Sequence, residues 1–193
     1  DQFRQRVEQL DAEQTRKALA QFFRGGELDK NQIPQAQALA RFTPHVEAVL
    51  ERVEDFAGFL PALVQNENSA PDQIEPLLEP ALEAIEHAPR RVGSRAAAER
   101  AHVAEWAAEA LTRARERGFE VPENLNERAD QLLWPQGDDH EYAWIGNNPR
   151  RKAGLRLEVD RLGRAEDRKG LEVFLVQLRQ KEDEPALLAE FIQ

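Results

Sequence analysis

Between Ser94 and Gly118 the chain consists almost wholly of strong helix formers. Alanine dominates residues 95–117, neither proline nor glycine interrupts them, and Gly118 sits where a helix readily ends in the left-handed conformation. Ala96, Val103, Ala107, Ala110 and Ala114 form a narrow stripe, with Trp106 and Leu111 beside it. Small residues on a stripe let a second helix approach closely, so this helix is expected in the middle of a bundle.

The flanking sequence carries the same punctuation. Asp11 and Gln14 read as a capping box opening a helix with Leu19, Phe22 and Phe23, which stops at Gly25-Gly26. Thr43-Pro44 opens a helix whose stripe runs Val46, Val49/Leu50, Val53, Phe56/Ala57 and Leu60, with Pro61 ending or kinking it. After a polar turn at 66–71, Ile74, Leu77/Leu78, Ala81/Leu82 and Ile85 mark a helix over about 72–87. Another runs from Pro122 to Trp134. Past Pro135 the signals conflict. Leu155, Leu157 and Val159 alternate with charges at strand period, while Leu155, Val159 and Leu162 also fit a helix. Gly154 and Gly163 bracket the run and favour a strand, with Tyr142–Ile145 as its hairpin partner. Leu171, Phe174/Leu175 and Leu178 predict a helix over 166–181, and Pro185–Ile192 reads as a last short one. The expectation is a mainly α bundle or array of about six to eight helices, with a small β-hairpin around residues 141–160. Residues 1–134 form the helical bundle domain, and residues 135–193 a C-terminal region packed on the same core.

Composition narrows the chemistry. The absence of Cys removes disulfides, thiolate nucleophiles and Cys-ligated metals. The absence of Met, at position 1 included, fits a trimmed chain or a fragment. No apolar run approaches the ~20 residues of a spanning helix and no signal-peptide core is present, so a soluble, cytoplasmic protein with no membrane association is expected. Glu99 and His102 form an E-x-x-H pair, but the residues three before His45, His87 and His140 are Phe42, Ala84 and Gly137, so the second pair of a di-iron bundle is missing. No metal or cofactor is expected. Ser69 and Ser94 read as helix caps rather than nucleophiles. His87 at a helix end and His45 in a first turn read as structural.

Two stretches stand out. Asp138, Asp139, His140, Tyr142 and Trp144 put carboxylates, an imidazole and amphipathic rings into one loop. The net charge of -10 is also unevenly spread: residues 1–145 carry -11, residues 146–181 carry +5, and residues 182–193 carry -4. The basic segment is led by Arg150, Arg151 and Lys152, with Arg156 a turn further on. At a helix start, three cations meet the positive end of the dipole; at a hairpin tip they project into solvent. Either placement calls for an anionic partner, which the acidic remainder of the chain or of another copy can supply. The expected function is a non-enzymatic helical protein–protein interaction module: an adaptor, assembly factor or subunit, with a protein partner or homo-oligomer. The alternatives are a nucleic-acid-associated accessory protein binding through 148–169, and an enzyme with its site near 138–144.

Overall fold

The computed structural model describes residues 2–134 and 148–181. These divide into two compact units, each built from two stretches of chain: residues up to 81 with 109–121, and residues 82–108 with the described residues from 122 onward.

The first unit opens with α1 (Gln2–Glu8) and α2 (Ala12–Phe22). The capping box forms as expected: Gln14 N donates to Asp11 Oδ1 at 2.7 Å, and Asp11 N donates to Gln14 Oε1 at 3.0 Å. Gly25-Gly26 do more than stop α2. Both adopt positive φ, +60° and +87°, which suits a tight two-residue turn between antiparallel strands β1 (Phe23–Arg24) and β2 (Glu27–Leu28). This is the only hairpin among the described residues. Next come α3 (Ile33–Phe42), α4 (Val46–Leu50) and α5 (Phe59–Gln65). The single helix expected from Thr43 to Leu60 is thus split. Pro61 stands in the first turn of α5 rather than ending a helix, because a first-turn N–H has no intrahelical partner to lose. Phe59 is fully buried and meets Phe56 edge-on, with ring centroids 4.7 Å apart and planes at 88°. After α6 (Pro71–Ile74) and a short 3-10 turn, α7 (Leu78–Glu86) begins.

Helix α8 (Arg95–Arg117) has the bounds its composition predicts, and the unit division falls within it. Ser94 caps its start, Oγ accepting from Ala97 N at 3.2 Å. At its end Gly118, at φ +75°, donates to Arg115 O, and Phe119 donates to Ala114 O, a Schellman closure. Ala97, Ala101, Ala104, Ala108, Leu111 and Ala114 are buried, so the small-residue face starts at Ala97; Ala96 is exposed.

A polar network closes the first unit. Asn66, fully buried, donates Nδ2 to the carbonyls of Ala40 (2.9 Å) and Thr43 (2.8 Å), and its Oδ1 accepts from Asn68 N (2.8 Å). Ser69 caps no helix start. It is buried and donates Oγ to Leu63 O at 2.6 Å. Arg117 donates Nη1 to the carbonyls of both Val64 and Asn66 at 2.6 Å. The open carbonyls at the ends of α3 and α5 are thereby occupied by side chains from distant positions.

The second unit is built around α9 (Leu125–Leu133), α10 (Pro149–Arg164) and α11 (Arg168–Lys181). Residues 149–164 are helical throughout, so the hairpin expected around 141–160 is not formed by its described part, and 170–178 is likewise helix. Local physics explains the outcome. Asn148 Oδ1 accepts from Arg150 N and Arg151 N, Pro149 takes the first helical position, and Arg161–Glu158 and Arg164–Asp160 are pairs that only helical spacing brings together. Gly154 marks a helix contact rather than a strand end. A Cβ there would lie 2.9 Å from Ala129 O and 3.1 Å from Leu132 Cβ. Leu133, Leu155, Leu162, Phe174 and Leu178 form the core, with Trp134 and Val159 packed against it. Among the described residues no helix is long and apolar enough to cross a membrane.

Candidate functional site

Two of the four cations singled out in the basic segment turn inward. Arg151 is 4% exposed, donates Nε to Leu133 O at 3.0 Å, and holds its guanidinium 5.9 Å from the Trp134 ring centroid. Arg150 is half-buried and donates Nε to Ala88 O at 2.6 Å. Both receiving carbonyls lie at or just past helix C-termini, where a cation meets the negative end of the dipole. The crowding of cations at the start of α10 is therefore relieved within the unit. Lys152 is exposed, with Nζ 3.7 Å from Glu105 Oε1, and Arg156 is exposed without an ion pair among the described residues. Arg161 and Arg164 pair with Glu158 and Asp160. The loop candidates Asp138, Asp139, His140, Tyr142 and Trp144 lie outside the described residues.

The other sequence candidates are placed by local contacts. His102 is exposed, 3.6 Å from Glu105 Oε2 and stacked on Trp106. His45 Nδ1 lies 3.2 Å from Glu47 Oε1, and His87 Nδ1 lies 2.8 Å from Glu83 O. Among the described residues no group of three or more metal-ligating side chains converges. Carboxylate Glu86 receives Arg128 Nη2 at 2.7 Å. The Arg128 hydrogen bonds hold the Glu86 carboxyl below its ordinary range against the opposing effect of burial, and the charges of Arg128, His87 and Arg150 add to the shift.

A site that sequence reasoning missed lies on the first unit. Two cavities, of about 280 and 350 Å³, share Arg41, Phe42 and Gln65 in their walls and so lie side by side; the pair is termed the groove. Phe42, the last residue of α3, carries the Arg4 guanidinium 5.2 Å and the Arg41 guanidinium 5.3 Å from its ring centroid. On one side of this cluster the wall is low, made of Ala38, Gly58, Pro61 and Ala62, with Gln37 beside it and the Arg113–Glu109 pair at the edge. On the other side stand Asn68, Glu67 and the Arg4–Glu8 pair, the last at 2.7 Å. Arg4 and Arg113 thus have carboxylate partners. Arg41 is exposed and forms no ion pair among the described residues, and the Gln65 amide makes no hydrogen bond there. No local sequence signal marks this cluster, because α1, α3 and the end of α5 bring its members together from far apart in the chain.

No protein-family model, curated protein or solved structure matches this chain.

Proposed function

We propose that this chain is a non-enzymatic helical binding module that docks a protein partner in the groove around Arg41, Phe42 and Gln65. One observation carries the reading. Among the described residues the groove offers a guanidinium without an ion pair, a side-chain amide without a hydrogen bond and a flat ring at its centre, which are groups that recognise rather than react. Among the described residues its walls contain no hydroxyl, thiol or imidazole to act as nucleophile, and two of their three carboxylates, Glu8 and Glu109, are already engaged by arginines. The basic segment gives less support to nucleic-acid binding, since Arg150 and Arg151 are directed to main-chain carbonyls and Arg161 and Arg164 to carboxylates.

The test is selection from a random peptide library displayed on phage, against the full chain and its Arg41→Glu variant in parallel. Peptides that enrich on the full chain and not on the variant support the reading. Failure of any peptide to enrich, or equal enrichment on both proteins, overturns it.

A further inference from the structure

Resting on that reading, we infer that the groove selects an extended peptide segment carrying an acidic side chain, seated at Arg41, followed on the Glu67 side by a basic one. The charge pattern sets the choice. Among the described residues Arg4 pairs with Glu8 and Arg113 with Glu109, which leaves Arg41 as the cation of the groove wall without an ion pair. A single guanidinium matches a carboxylate, which is a monoanion, better than a phosphate that carries close to two negative charges. The Arg41 guanidinium lies 5.3 Å from the Phe42 ring centroid, and its planar fork suits two-point hydrogen bonding to a carboxylate.

The groove walls set the form of the occupant. Ala38, Gly58, Pro61 and Ala62 project little, so a peptide main chain can lie close to the wall. Gln65 presents both a donor and an acceptor, the pair that a peptide unit of an extended segment requires. Beyond Phe42, Glu67 is exposed and forms no ion pair among the described residues. A second acidic side chain would be repelled there, and a lysine or arginine would be attracted. The two peptide charges therefore have separate places along the groove.

The experiment uses the full chain and labelled synthetic peptides taken from the selection, read by fluorescence anisotropy across a salt series. The expected consensus pairs an acidic with a basic residue. Replacing the peptide's acidic residue by its amide counterpart, or Arg41 by Ala, weakens binding about tenfold, and affinity falls with salt. Arg41→Glu inverts the preference at that peptide position to basic, and Glu67→Lys inverts the neighbouring one to acidic. Arg156→Ala leaves affinity unchanged. Peptides that bind the groove with no carboxylate preference overturn this inference while the docking reading stands. Absence of peptide binding overturns both. The peptide-side replacement keeps the result independent of any folding defect in the variants.

Discussion

Arg150 donates its Nε to the carbonyl of Ala88 at 2.6 Å, joining the first turn of α10 to the chain just past the end of α7. The neighbouring Arg151 does the same for Leu133 at the end of α9. The triplet that looks like a surface patch in the sequence is thus unequal: two of its members hold helix ends and only Lys152 is a solvent cation.

Substitution separates these roles. Arg151→Ala should cost about 2–4 kcal/mol, because a buried carbonyl loses its donor and a packed side chain is removed. Lys152→Ala should change stability by less than about 0.5 kcal/mol, since its pair with Glu105 is long and half-exposed. Urea titration of the two variants checks both values. Equal effects would contradict the buried placement of Arg151.

Asn66 provides a second test. Its amide supplies two donors to main-chain carbonyls, so Asn66→Leu removes the side-chain donor of Ala40 O and leaves Thr43 O with only the longer bond from Asn68 Nδ2 at 3.4 Å, and should cost about 2–4 kcal/mol. Asn66→Asp is worse near neutral pH, where a buried carboxylate faces carbonyl oxygens. The folded-state pKa of this new Asp would lie above its unfolded value. Its protonated form is therefore the stable one, and thermal melts of Asn66→Asp should rise, relative to the parent, as pH is lowered.

The Glu86–Arg128 pair works in the opposite sense. Glu86 has a folded pKa below its unfolded value, so its contribution is fully present above the unfolded value of about 4.3 and is lost as pH falls through the folded value. Glu86→Gln should therefore be less stable than the parent near neutral pH by about 1–2 kcal/mol. The gap should close as pH is lowered through the acid range, measured as the difference between paired denaturation curves. A gap that widens on acidification would contradict the assignment.

Gly154 tests the contact between α9 and α10. Gly154→Ala should be destabilising despite alanine's higher helix propensity, because a Cβ would lie 2.9 Å from a carbonyl oxygen that belongs to helix backbone. Gly163, also within α10, has open space where its Cβ would go, so Gly163→Ala should stabilise by about 0.5–1 kcal/mol. Opposite signs in the two melting shifts are the expected result.

These sites also mark where the sequence was readable. The Asp11–Gln14 box, the Ser94 cap and the Gly118 ending depend on residues within one turn of each other, so local chemistry specifies them. Gly154 is ambiguous in the sequence because its meaning is spatial: the same residue serves at a strand boundary or a close helix crossing, and only the presence of α9 decides. The hairpin at Gly25-Gly26 was missed because strands of two residues carry no alternation to detect. Arg41, Phe42 and Gln65 carry no signal in the sequence for a related reason. Each is ordinary where it stands, and the groove exists only after α3 and α5 have been placed side by side.

Arg117 finishes α8 and, through Val64 and Asn66, also finishes α5. The two termini consequently share a single latch. Fraying that withdraws this guanidinium uncovers the last carbonyls of α5 at the moment it loosens the closing turn of α8. Amide protons at these two places, remote in sequence, should then exchange with solvent through one common opening event rather than two independent ones.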